Sequence, residues 1–209
     1  MYKGIATFVF LLISVSGFSQ NVPFSKEQQD KFTRQAKDYL QDFVRTVILL
    51  SDPKKSCDAT CQEYRIQGTE DHFIKGAKIQ TISLNNKNPR SWPVSQYLRT
   101  VVNNYKNRYR LVIVKFNNIV IDSDKLQPIG NNMYKMKGSL TQEFCVKNAQ
   151  DFAKESNTTN VESFTICEET QKEFEVIIKK QLSASLGERW VVLLGDVNAK
   201  TIKNLKGEK

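Results

Sequence analysis

Histidine is nearly absent from this chain: its 209 residues hold one, His72. A lone imidazole rules out the paired histidines of an HExxH metalloprotease helix and limits any nucleophile-and-base pair to what His72 can reach. Glycine is sparse too. None of the nine forms a GxSxG nucleophile turn, a phosphate-cradling loop or a dinucleotide fingerprint, so no cofactor and no metal are expected. No internal repeat or low-complexity tract interrupts the sequence. The one long apolar run, Ile5 to Val15, is about half of the ~20 residues that cross a bilayer.

That run belongs to MYKGIATFVFLLISVSGFSQ, which has the layout of a secretory signal peptide: Lys3 in a short n-region, the apolar stretch, then small Gly17 and Ser19 before the cut. Cleavage after Ser19 leaves Gln20 first. No Cys follows the run, so no lipoprotein anchor is indicated. The expected location is secreted or periplasmic, with no membrane span after cleavage. The expected organisation is a signal peptide at 1–19, a lead-in at 20–30, one domain at 31–198 and a basic, poorly ordered tail at 199–209.

The formal net charge is +9, from 31 Lys and Arg against 22 Asp and Glu. The basic residues are spread along the chain with acids between them (Lys54 and Lys55, Arg108 and Arg110, Lys179 and Lys180), whereas a groove-reading protein concentrates them beside exposed aromatics. No nucleic-acid partner is expected. Four cysteines, Cys57, Cys61, Cys145 and Cys167, point first to disulfides in an oxidising compartment, with three pairings open. A four-Cys zinc site would more usually offer two CxxC-type pairs, and here Cys145 and Cys167 lie 22 positions apart.

Helical spacing comes first along the chain. Ser25 and Gln28 resemble a capping box, and Phe32, Ala36, Tyr39, Leu40, Phe43, Val44, Val47 and Ile48 recur on one helix face until Ser51 to Pro53 end the run. A polar stretch around CDATC leads through a short helical or turn segment to a strand at 78–84, then a polar loop with NNKNP. PVSQYLRTVVNNY reads as a further helix. From Tyr109 the period changes to two: YRLVIVKFNNIVID, then 134–147, then 163–180, then RWVVLLGDV. Asp122 and Asp124 read as a turn.

The hairpin register follows from parity. If 134–147 and 163–180 pair around a loop near Ser156, Phe144 faces Glu168, Met136 faces Val176 and Cys145 faces Cys167. Both cysteines then fall on the polar side of neighbouring strands. This favours a Cys145–Cys167 disulfide, which leaves Cys57 with Cys61. A bulge is expected near Glu168 and Glu169, where CEETQKE loses its alternation.

A long helix, a broken segment with a strand, a helix opening at PVSQYL and a meander closing in RWVVLLGDV resemble the nuclear transport factor 2-like superfamily, most nearly its secreted bacterial envelope members of undefined role. FIKGAKIQTISL looks like the segment after that family's second helix. The resemblance covers roughly residues 31 to 198 and implies an α+β, cystatin-like fold, in which a curved, mostly antiparallel meander sheet wraps around N-terminal helices to make a cone. It also implies a homodimer through the sheet face as one mode of assembly. Its enzymes, among them ketosteroid isomerase, scytalone dehydratase and polyketide cyclases, place Asp, His or Tyr inside the cone.

Two candidates for catalysis follow. His72 has Glu70 and Asp71 before it, although adjacent helical residues do not face one another, so Asp71 is badly placed to orient it. Glu168 is the one acid whose register turns it to the apolar side, where burial would raise its pKa. Tyr39, Tyr97, Tyr109 and Tyr134 are candidates to line a pocket. The favoured reading is a non-catalytic module that binds a small ligand or an envelope protein. A small isomerase, dehydratase or hydrolase using His72 or Glu168 is the alternative. A third reading binds anionic envelope polymers through Lys115, Lys135, Lys137, Lys147 and Lys179 on one sheet face.

Overall fold

The computed structural model describes residues 23–52, 57–107, 109–130, 132–148, 166–183, 185 and 187–206. The stretch expected to be a signal peptide, the loop expected near Ser156 and the last three residues lie outside it, as do the side chains of 104–111, Tyr109 among them. Among the described residues no helix is long and apolar enough to cross a membrane.

Three helices, α1 (Lys26–Ser51), α2 (Ala59–Glu70) and α3 (Val94–Asn107), accompany seven strands. These are β1 (Lys78–Ser83), β2 (Asn86–Pro93), β3 (Tyr109–Ile121), β4 (Gln127–Gly130), β5 (Met133–Asn148), β6 (Ile166–Ser183) and β7 (Gly187–Asn204). They form one sheet in the order β2-β1-β7-β6-β5-β3, with β4 paired to β5. All pairings are antiparallel except β1 with β7. Helix α1 lies against both β7 and β3, which β6 and β5 separate, so the sheet bends around it. Register shifts in β3 and between β6 and β7 supply the bend. The fold is α+β: a curved, mostly antiparallel sheet bent around the N-terminal helix, compatible with the cone that the sequence resemblance implies.

The capping box that opens α1 is present: the Ser25 side chain accepts from the Gln28 backbone and the Gln28 side chain accepts from the Ser25 N–H. The helix starts inside the expected lead-in because that cap, not the first apolar residue, sets its end. Phe32, Ala36, Leu40, Phe43 and Val47 are buried along one face and meet Phe73, Met136, Phe174, Val176 and Leu194. Burying each such large side chain is worth roughly 1.5–3 kcal/mol.

The predicted β5–β6 register holds at every pair named: Phe144 opposite Glu168, Met136 opposite Val176, Cys145 opposite Cys167. Cys145 and Cys167 form a disulfide with Cα atoms 4.1 Å apart, and Cys57 and Cys61 form another at 5.7 Å. Cys145 and Cys167 sit on the convex face of the sheet with Ile113 and Leu205, apart from the main core.

Three expectations need correction and a fourth a change of place. The polar stretch after CDATC is helix α2, and NNKNP is not a loop but part of β2, an edge strand paired to β1. The bulge expected in the CEETQKE run falls at Gln171/Lys172, two residues beyond Glu169, and only against β7, with a second shift at Phe174/Val176, while β6 meets β5 without interruption. The tail does not begin at 199, since β7 runs on to Asn204 and pairs with Glu168.

Candidate functional site

Residues at even positions of β6 face the concave side, and three of them are both polar and buried: Glu168, Thr170 and Lys172, each less than 9% exposed. Across the β5–β6 ladder Thr170 stands opposite Gln142, which is also buried. From α3, Tyr97 comes down onto this row, with its hydroxyl hydrogen-bonded to Gln142. The result is a band of five polar residues within an otherwise apolar interior.

The seam between β1 and β7 explains two of the five. These strands share one ladder pair, Ile79 with Val197, so the rest of β1 leaves backbone groups to be satisfied by other means. Lys172 Nζ donates to the Gln80 carbonyl at 3.2 Å, passing Ala199, its small neighbour on β7. Glu168 Oε1 accepts from the Leu84 N–H at 3.0 Å. Side chains of β6 thus reach past β7 to hold the β1–β2 hairpin.

The same burial shifts their acidities. Loss of solvent lowers the Lys172 ammonium to about 8, and its Nζ stands 5.8 Å from the centre of the Tyr97 ring, a cation–π arrangement. Burial raises the Glu168 carboxyl, and the Leu84 N–H partly offsets the rise. Burial pushes the Tyr97 phenol up to about 12, against the Gln142 hydrogen bond. The row thus sets the Lys172 ammonium beside a phenol, an amide, a threonine hydroxyl and the Glu168 carboxyl.

The structure separates the residues that the sequence suggested as one site. Glu168 and Tyr97 belong to the concave row; Glu168 is 6% exposed, not at a watered sheet edge, because its strand is central. His72 lies just beyond α2, on the flank where that helix meets α1. Its ring stacks on Tyr39 at 4.1 Å between centroids, and its Nε2 is 3.4 Å from Asp42 Oδ2, so Asp42 and not Asp71 is its acidic neighbour. Tyr39 in turn accepts from Gln35 Nε2 at 2.8 Å. Tyr134 packs edge-on with Phe24 and Trp190, in a separate aromatic cluster. Cys57 is tied to Cys61, so it is no nucleophile for His72.

Sequence reasoning missed Lys172 and Gln142. Each sits in the apolar register of its strand, and that parity was the signal that could have found them.

Three of the five lysines of the third reading are paired or buried, which leaves Lys137 and Lys179 as its open members. Lys115 and Lys135 pair with Glu143 and Glu175, and Lys147 is buried. Glu173 and Glu169 on the same convex face pair with Lys200 and Lys203. Outside the cone, a shallow hollow is lined by Asp58, Thr60, Cys61, Tyr64 and Arg65. It lies along about two turns at the start of α2 and is open to solvent.

No protein-family model matches the chain, and no curated protein sequence does. Among solved structures, a candidate scytalone dehydratase of Novosphingobium aromaticivorans superposes with a TM-score of 0.42 at 7% identity, over 85% of this chain and 91% of that one. The Kfla4162 protein of Kribbella flavida gives 0.40 at 12% identity, over 84% and 95%. The hexachlorocyclohexane dehydrochlorinase LinA-type3 of Novosphingobium barchaimii gives 0.39 at 12%, over 86% and 96%.

Proposed function

We propose, taking the nuclear transport factor 2-like cone as premise, that this protein is an exported module that binds a small molecule against the concave polar row. The observation that carries the reading is the row itself. Five polar side chains converge on one patch of an apolar interior, and Glu168 and Lys172 each hold one backbone partner among the described residues. A core needing stability alone would fill these positions with aliphatic residues. Export accords with the two disulfides and with the signal-like N-terminus.

The test is a fragment screen by NMR on the labelled protein. Binding in the cone shifts the Tyr97 ring and the amides of Thr170 and Gln142 together; hits that shift only outer residues such as Tyr64 would sink the reading. N-terminal sequencing of the protein from the culture medium or periplasm, expected to begin at Gln20, checks export separately.

A second reading, a small isomerase, dehydratase or hydrolase, rests on a different observation. On one strand face burial moves a carboxyl up and an amine down, the pattern that assigns an acid and a base to neighbouring groups. It would use Glu168 and Lys172, while His72 lies outside the row. Turnover of any candidate substrate that survives both Glu168→Gln and Lys172→Met would exclude it.

A further inference from the structure

A buried ammonium group ordinarily meets a carboxylate, because an unpaired charge in an apolar interior is costly. Lys172 does not. The residue is 5% exposed, and its Nζ has one hydrogen-bond acceptor among the described residues, the Gln80 carbonyl. An ammonium carries three donors, so two remain.

The acids around it are committed elsewhere. Glu168, on the same face of β6, is turned to Leu84, while Glu169 and Glu173 point to the convex face and pair with Lys203 and Lys200. On β5, Glu143 and Glu175's partner Lys135 also belong to the convex face. From α3, Arg99 is engaged with Glu63 and Tyr97 stands over the amine. From α1, Asp42 lies beside His72.

We propose that Lys172 is the anion-binding group of the cone and that its ligand is a small organic carboxylate, held by the two unused ammonium protons beside the Tyr97–Gln142 pair. This rests on the reading of the concave row as a ligand site. The head group carries a single charge because one lysine faces it: a phosphate dianion calls for more donors, typically an arginine fork or several backbone N–H groups. The rest of the ligand is apolar, since Leu140 and Ala199 flank Lys172 across the two ladders and Phe174 follows it on the same face.

The experiment titrates octanoate, octanol and octylamine, three head groups on one chain, into the protein and follows the Lys172 side-chain and Tyr97 ring resonances. Octanoate is expected to bind at least tenfold more tightly than octanol, with octylamine weakest. Its affinity is expected to fall about tenfold between about pH 7 and about pH 9, because an amine titrating near 8 loses its charge over that interval. Lys172→Met is expected to keep octanol binding and lose the preference for octanoate. Equal binding of octanoate and octanol, or a flat pH profile, overturns the role of Lys172 and leaves the ligand site standing. Absence of binding by all three overturns both, and a Lys172→Met protein that still prefers octanoate tenfold overturns the assignment to this lysine.

Discussion

Glu168 Oε1 accepts the Leu84 backbone N–H at 3.0 Å across a strand that lies between them. Replacing Glu168 with Leu leaves that N–H without its acceptor, at a cost of about 1–3 kcal/mol, whereas Gln keeps an acceptor in place. The native carboxyl titrates above its unfolded value, so the folded state holds the proton longer. Stability from this group is therefore present below about pH 4.5 and lost as the pH rises through the raised value. Urea unfolding of wild type and Glu168→Gln across the acid range should show that downward slope in the wild type alone.

Lys172 has the opposite sign. Its folded value near 8 lies below the unfolded 10.5, so the unfolded state binds more protons between the two, and stability rises with pH across that window. At neutral pH, keeping the amine charged costs on the order of 3 kcal/mol. Lys172→Met should raise the unfolding free energy at pH 7 by about 1–3 kcal/mol, less what the Gln80 carbonyl loses, and the gain should shrink toward pH 10. Guanidinium melts at both pH values measure it.

Gly138 sits opposite Phe174 in the β5–β6 ladder, and a Cβ there would lie 2.7 Å from the Val120 carbonyl and within the Phe174 ring. Gly138→Ala should cost about 2–4 kcal/mol by overpacking. Phe174→Leu, which withdraws the ring, should cost less when combined with Gly138→Ala than in the wild type, and a double-mutant cycle reads that coupling.

The convex and α2 disulfides should separate in size. Closing the span between Cys145 and Cys167 removes more unfolded-state freedom than closing Cys57 to Cys61, about 3 against about 2 kcal/mol in the chain-entropy account. Paired Cys→Ser variants, compared by thermal unfolding, should rank in that order. Because Cys145–Cys167 lies on the convex face, its removal should leave ligand shifts at Tyr97 unchanged.

His72→Ala should change stability by less than about 1 kcal/mol, since it gives up a stacking contact on Tyr39 and a partly solvated polar contact with Asp42. Any hit in the fragment screen should bind the variant as it binds the wild type, which titration by NMR would check.

What the sequence made legible follows burial. The β5–β6 register was readable because Met136, Leu140, Phe144 and Val146 share one parity with Phe174, Val176 and Ile178 across the ladder, and one slip would have exposed them all. Helix α1 declared itself through a wide apolar face and its cap. Helix α2 did not, because the residues it buries are Gln62, Ile66 and Thr69, two of them polar, with the Thr69 hydroxyl bonded to that of Thr46 at 2.9 Å. Strand β2 hid for the opposite reason: it is an exposed edge whose Trp92 alone reaches the core. Glu168 was found by parity, yet parity applied two and four positions further gives Thr170 and Lys172. Polar letters in an inward register look like lost alternation until a helix bearing Tyr97 is seen above them.

The sparse β1–β7 ladder also has a kinetic meaning. With one ladder pair between β1 and β7 and further ties from Lys172, Glu168 and Asp196, which accepts from the Lys78 N–H at 2.8 Å, the β1–β2 hairpin is the unit of the sheet that can swing away while β7, β6, β5 and β3 stay joined. Amide exchange at Gln80 and Leu84 would then proceed by partial opening, ahead of global unfolding, and each such event would bare the polar row to water. The fastening of the hairpin and the access to the interior are one equilibrium, in which Lys172 and Glu168 take part on both sides.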